Sequence, residues 1–450
     1  MTHLCTFYHA DLIVLKKTYV LYFSRGESMQ KLTLFLALLL ISDTAQATKT
    51  VIADVIKPSG AGTITTFPKN VVIDKDFNVN GTTHLNGKVV IKPLTALTKT
   101  GGAIKGLLNT NIAGTRAGTG TGPAAVAWSP LSNYIAVANQ NSNNVQTFSV
   151  DSLGNISAAL SSQPTGNVPT SVTWSPNWSS TTGGFIAVAN NSDNTVQTFK
   201  VDASGNLTSV SSQTAGTFPY SVAWSPNKSA TTGGFLAVVN NDNANTVETL
   251  SVDTAGNLSS VISSLTTGAS PLSVAFSPIW STSTGGFIAA ANGGDNSLQT
   301  FAVDTSGHLT LVSVATTASV PDSVAWAPQG NFVVVSNQDG NNIQVFTVDA
   351  SGHLSTEAKS AQNVGAVPIS VTWSPIWSAL LGGNVAVANS GTNTVQTFSV
   401  DITGNLSSSQ TGYANTGSFP YSAAWSPSGL YIAVTNTGSN TVQIFNAATI

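Results

Sequence analysis

The sequence predicts an all-β chain whose larger part is a seven-bladed β-propeller of four-stranded antiparallel blades, and three observations carry that expectation. The first is a recurring Trp-Ser-Pro. Its anchors stand at Trp128, Trp174, Trp224, Phe276, Trp326, Trp373 and Trp425, spaced by 46, 50, 52, 50, 47 and 52 residues, with Ala327 replacing the Ser once. A period of about 40 to 50 residues built from strand signals marks a blade repeat. The second is an apolar run after each anchor, such as Phe185-Ile-Ala-Val-Ala189, whose lack of alternation suits a strand covered on both faces. The third is composition. Charged residues make up only 8% and glycines number 39, which suits short strands joined by polar turns rather than a long helical domain.

Taken in order, residues 1–47 read as an over-extended start followed by a secretory leader. From Met29 the chain runs Met-Gln-Lys, then the apolar stretch Leu32 to Ile41, then Ala45-Gln46-Ala47, which is the pattern of a cleavable signal with cleavage after Ala47. The stretch is too short to cross a bilayer, where about 20 residues are needed. The expected location is therefore secreted, periplasmic or cell-surface associated, with no integral membrane segment after signal removal. The one cysteine, Cys5, precedes the leader, so the mature chain is expected to hold no disulfide and no thiol nucleophile.

Residues 48–105 form a basic, β-rich extension. Val71-Val-Ile, Phe77-Asn-Val-Asn-Gly81 and Lys88-Val-Val-Ile91 read as short strands separated by Asn-Gly turns. The extension resembles the β-rich stalks of fibre proteins, which implies surface association or oligomerisation; packing or tethering to the acidic propeller explains its charge equally well. Residues 48–116 carry nine basic and three acidic groups, whereas residues 117–450 carry three basic and thirteen acidic ones. A propeller with so few cations cannot neutralise a run of phosphates, so nucleic acid is not an expected partner.

Residues 106–450 are expected to be the propeller. In the copy from Pro169 to Gly216, Ser171–Trp174, Phe185–Ala189, Thr195–Val201 and Leu207 to about Gln213 read as four strands, the last polar as an outer edge should be. Trp at the end of the first strand reads as an apolar plug between blades. After Phe445 only five residues remain, too few for a fourth strand. Residues 106–115 are therefore expected to complete the seventh blade, ahead of a Gly-Thr-Gly-Pro123 link like those before the other blades.

Several repeated residues invite a chemical interpretation. Asp-x-x-Gly-(Asn/His)-Leu recurs from Asp151 to Asp401, but one carboxylate per copy cannot supply the six to eight oxygens of a calcium loop, so each reads as a capped hairpin turn. An Asn closes every second strand (Asn139, Asn190, Asn240, Asn292, Asn337, Asn389, Asn436), either lining a polar site or organising its own turn through left-handed geometry. Trp178, Trp280 and Trp377, in the loops between the first and second strands of their copies, either pack under the blades or form an aromatic contact patch. His308 and His353 stand in hairpin turns, so no base accompanies a nucleophile and no metal-ligand cluster is evident. No catalytic residue, metal or cofactor is assigned. Topology instead gathers Tyr220, Leu272, Asp322, Ile369 and Tyr421 at one face, and Tyr220, Asp322 and Tyr421 are the candidate binding residues.

The run Phe185-Ile-Ala-Val-Ala-Asn-Asn-Ser-Asp-Asn-Thr-Val-Gln-Thr-Phe resembles surface-layer propellers with Tyr-Val-Thr-Asn repeats. The run Thr195 to Leu207, ending Val-Asp-Ala-Ser-Gly-Asn-Leu, is similar to the lactonase family of seven-bladed propellers, which includes phosphogluconolactonases and muconate-lactonising enzymes. The likeness spans residues 106–450. It implies the fold, and it implies lactone hydrolysis as one activity. Relatives acting on phosphorylated substrates look to cationic and histidine side chains near the channel, whereas Lys200, Lys228 and Lys359 fall elsewhere here; a calcium-dependent lactonase would need channel carboxylates, of which Asp322 is the obvious one. The expected function is an exported binding or surface-interaction module for a glycan, peptide or protein at a propeller face, with a lactonase-like hydrolase acting on a sugar lactone as the alternative.

Overall fold

The computed structural model describes residues 115–226 and 233–447, together with four short strands ahead of them. The chain divides into two units, Met1–Leu108 and Asn109–Ile450. In the first, Thr66–Phe67 pairs with His84–Leu85 and Val71–Ile73 with Val89–Ile91, both in parallel. Parallel neighbours need a crossover. The Asn-Gly pairs therefore do not join these strands as hairpins. The expected leader through Ala47, the strand at Phe77–Gly81, residues 106–114 and Lys228 lie outside the described residues.

The second unit forms seven four-stranded antiparallel sheets. Blades 1 to 6 span residues 123–164, 169–214, 219–266, 271–316, 321–363 and 368–415, and blade 7 combines residues 420–446 with Thr115–Gly118. In each blade the second strand is almost completely buried, from Ile135–Ala138 in blade 1 to Ile432–Val434 in blade 7. Aliphatic, unalternating strands behave this way because both faces lie against neighbouring blades.

The Trp-Ser-Pro anchor performs two local tasks. The Ser hydroxyl accepts the N–H that opens the second strand, at 3.1 Å from Tyr134 to Ser129, 3.1 Å from Phe185 to Ser175 and 3.0 Å from Tyr431 to Ser426. The Trp indole plugs the blade interface and, in four blades, donates to the preceding inner strand: Trp128 to the Ala424 carbonyl, Trp174 to Ala127, Trp326 to Ala275 and Trp373 to Ala325, all at 2.9–3.1 Å. Trp224 and Trp425 turn to Gly233 and Gly429 of their own blades. Phe276 has no N–H to give.

The Asp-x-x-Gly segments are hairpin turns, and they also dock blades. Asp202 Oδ1 accepts the N–H groups of Ser204 and Asn206, both at 2.8 Å, so its carboxylate serves its own turn. The Gly205 carbonyl accepts from Thr147 of blade 1 at 2.6 Å, and Gly256 and Gly352 accept likewise from Thr198 and Thr300. Gly205 sits at φ +86°, where an added Cβ would come within 2.8 Å of the Tyr134 ring. Gly205→Ala is expected to lower unfolding stability by about 1–3 kcal/mol through backbone strain and that clash. A denaturant melt unchanged within about 0.5 kcal/mol, the scatter of neutral surface changes, would refute it.

Ring closure departs from the sequence expectation in position. The fourth strand of blade 7 is Thr115–Gly118, with Gly118 opposite Thr441 and Thr115 opposite Ile444. The expectation was 106–115. Elsewhere the outer strand ends two residues before the first link residue, Pro164 before Gly166 and Thr214 before Gly216, and Gly118 keeps that spacing to Gly120. The link from the outer strand of one blade to the inner strand of the next fixes where the strand must stop.

A second seam follows the inner strands. Ser171, Ser221, Ser273, Ser323, Ser370 and Ser422 each accept an N–H from the next blade's inner strand, at 3.0–3.3 Å. Blade 1 has Ala125 at this position, 9% exposed, and contributes no such link to blade 2. Ala125→Ser is expected to raise stability by about 0.5–1.5 kcal/mol, the net worth of one hydrogen bond. A chemical melt showing no gain would mean that the Val172 N–H is already served.

Candidate functional site

Each inner strand begins with a proline and then skips one residue in its ladder with the second strand. The skipped residues are Ala124, Thr170, Tyr220, Leu272, Asp322, Ile369 and Tyr421. A bulge releases a residue from pairing and re-aims its side chain. These seven form a ring around the axis, at the end where the links and the second-to-third strand turns lie, here termed the upper face.

The backbone before each bulge is unusual. Val168, Phe218, Ser270, Val320, Val367 and Phe419, each immediately ahead of a proline, adopt φ between +51° and +56°. Branched and aromatic side chains disfavour this region, so the surroundings must hold it. A second set of asparagines does so. Asn143, Asn194, Asn245, Asn296, Asn341 and Asn393 accept the N–H of these residues through Oδ1 at 2.8–2.9 Å, and Asn440 serves Gly122.

Four of the seven bulge side chains are polar: the Thr170 hydroxyl donates to the Pro219 carbonyl at 3.3 Å, and Tyr220, Asp322 and Tyr421 stand near one another from blades 3, 5 and 7. The hydroxyls of Tyr220 and Tyr421 meet at 2.8 Å across the axis. Asp322 lies within electrostatic reach of both phenols. Burial pushes its carboxyl up to about 7. Among the described residues no hydrogen bond or cation reaches it. Burial likewise holds the Tyr220 phenol far above its ordinary value, reinforced by Tyr421 and Asp322, and it raises Tyr421. Both phenols are therefore neutral donors and acceptors across the biological range. Further along the inner strands, towards the Trp-Ser-Pro end, lies a cavity of about 450 Å3 walled by Ser323, Ser370 and Ser422 and by inner-strand valines, with none of Tyr220, Asp322 and Tyr421 in its wall.

The three side chains chosen from sequence thus meet at one place. The other repeated residues resolve differently. The Asn139 amide, fully buried, donates to Asn144 at 2.7 Å and Gln146 at 3.1 Å, and Asn190 and Asn240 donate to Thr195 and Thr246; they organise turns. The left-handed geometry expected of them belongs instead to the asparagines four or five residues on, Asn143 to Asn440, which sequence reasoning missed although their spacing is as regular. Trp178, Trp280 and Trp377 pack between blades, with ring centroids 5.6 Å from Tyr134, 5.9 Å from Phe235 and 6.0 Å from Phe332. His308 and His353 stand beside Asp304 and Asp349 in the lower turns.

The architecture places this protein among the seven-bladed β-propellers. The family model of the 7-bladed β-propeller lactonases matches residues 178–276 and 238–373, so the resemblance to that family is carried by sequence as well as shape. Solved structures share the fold. Hydrazine synthase of Kuenenia stuttgartiensis is 18% identical, with a TM-score of 0.56 over 73% of this chain and 96% of that one. A candidate 6-phosphogluconolactonase from Bacteroides fragilis is 18% identical, with 0.54 over 67% and 86%. A chain of a mitotic checkpoint complex is 16% identical, with 0.56 over 78% and 96%. No curated protein matches the sequence.

Proposed function

We propose that this protein is an exported binding or surface-interaction module whose propeller recognises a protein, peptide or glycan at its upper mouth, through Tyr220, Asp322 and Tyr421. One observation carries the proposal. Asp322 has no hydrogen-bond or ionic partner among the described residues, whereas the repeated asparagines and serines around it donate or accept within turns and blade seams, with only the Oδ1 atoms of Asn139 and its six counterparts left over and sealed from the channel. Asp322 is half-buried, so its carboxyl is partly desolvated yet open to a ligand, and a polar group in that state gains from a partner supplied from outside. Propellers commonly bind proteins, and one structural neighbour comes from a checkpoint complex. Residues 48–105, by their composition, fit surface association or oligomerisation. Among the described residues no helix is long and apolar enough to cross a membrane.

Lactone hydrolysis is the second possibility, favoured by the family match and by the carboxyl itself. Asp322 ionising near pH 7 could draw a proton from water, and the two phenols could donate to a developing oxyanion. Among the described residues no cation accompanies them for an anionic sugar. Screening the purified protein against glycans, peptides and lactones separates the two. Saturable binding without turnover is expected; steady lactone turnover that Asp322→Ala abolishes would replace the binding proposal.

A further inference from the structure

We propose, building on the binding-module assignment, that the upper mouth takes a primary ammonium group presented by a lysine side chain of a basic partner. Asp322 supplies the carboxylate, and no described residue supplies its cation. The bridged hydroxyls of Tyr220 and Tyr421, from blades 3 and 7, add two oxygens within electrostatic reach of it. An ammonium has three rotatable donors, which match a carboxylate and two phenol oxygens that converge from different blades; a planar guanidinium fork would want its acceptors side by side. A divalent metal would need several more oxygens than one carboxylate and two phenols offer.

The rim has the same sign. The second-to-third strand turns of blades 2 to 5 bring Asp193, Asp242, Asp295 and Asp339 to this face. The described cations lie away from it: Arg116 in the outer strand of blade 7, Lys200 and Lys359 near the opposite turns. Such a field attracts a basic segment and repels anionic ones. Beside the two tyrosines, Phe218 and Phe419 remain 49% and 60% exposed. Both are held at left-handed φ. Apolar side chains presented in this way can cover the methylene stem of a lysine whose head reaches inward.

The test uses calorimetry on the full chain with acetyl-Gly-Lys-Gly-amide, its norleucine and acetyl-lysine counterparts, and n-hexylamine. The lysine peptide should bind saturably, at least tenfold more tightly than either neutral counterpart, and Asp322→Asn should lose at least tenfold. In the unmodified protein the affinity should rise about tenfold from pH 5.5 to pH 8, because Asp322 ionises near 7 while the ammonium, Tyr220 and Tyr421 do not change state. Equal binding of norleucine, an unaffected Asp322→Asn protein with a normal melt, or a flat pH profile would each overturn the ammonium assignment. Hexylamine binding as tightly as the peptide would assign the site to a free amine and overturn the lysine partner. Failure here with retained binding of a glycan or neutral peptide would leave the binding module standing, whereas lactone turnover would remove both.

Discussion

Deleting Thr115–Gly118 from the full chain is expected to lower the melting temperature by about 8 °C or more. The segment closes the ring: its four residues pair with Thr441–Ile444, Ala117 is buried in the core at 8% exposure, and the Thr115 hydroxyl donates to the Gly154 carbonyl of blade 1 at 2.5 Å. With about four hydrogen bonds lost at about 1 kcal/mol each, and a shift of about 2 °C per kcal/mol in a domain of this size, the estimate is a lower bound. Exposing the edge of Thr441–Asn446 adds a further cost and a tendency to associate. Arg116→Ala, at an exposed position of the same strand, should change little. A deletion variant that melts within 2 °C of the intact chain would show that blade 7 is stable with three strands.

Most of the architecture was legible because it is written seven times. A Trp that plugs an interface, an aliphatic strand covered on both faces and an Asp-Gly turn each leave the same mark in nearly every copy, so one copy can be checked against the others. The exceptions are informative too. The residue that opens the second strand is aromatic in blades 1 to 5 and 7, where it packs on the glycine turn of the next blade, as Tyr431 does on Gly154 and Phe332 on Gly404. Blade 6 has Asn384 there, and it is exposed, because blade 7 takes its outer strand from Thr115–Gly118 and has no such turn to cover it. The closing strand was misplaced because its own four residues, Thr-Arg-Ala-Gly, carry almost no strand signal; only their distance from Gly120 identifies them.

The candidate site was legible only in outline. Tyr220, Asp322 and Tyr421 occupy equivalent positions after the link proline, which places them on one face. Their convergence depends on the bulge, and a bulge leaves no mark in side-chain alternation because it lasts one residue. Its cause was nonetheless present in sequence, as an Asn that recurs 24 to 26 residues before each residue it holds, for instance Asn194 before Phe218 and Asn393 before Phe419. Read as surface polarity, those amides carry no information; read as acceptors for a strained N–H, they position the channel mouth.

Replacing Asp322 should reveal what the fold gives up to keep it. The carboxyl ionises near 7 in the folded chain and near 3.8 in the unfolded one. A folded pKa raised in this direction means that stability present below about pH 3.8 is lost as pH rises towards 7 and then stays lost. The loss approaches about 4 kcal/mol at pH 8, taking 1.36 kcal/mol per pH unit as the limit. Asp322→Asn should therefore gain on the native protein by up to that amount between pH 4 and pH 8, the limit applying in full only if water does not reach the half-buried carboxyl, read as the difference between paired denaturant melts. The hairpin carboxylates Asp202, Asp253, Asp304 and Asp401 are shifted the other way by hydrogen bonds within their turns, and they withdraw stability only as pH falls below about 4. Their contribution is common to both proteins and cancels. A difference that does not change with pH would mean that the carboxyl is hydrated, and the case for an unmet buried charge would fall with it. If the gain is seen and a saturating lysine peptide removes it, the missing partner of Asp322 is supplied from outside the chain.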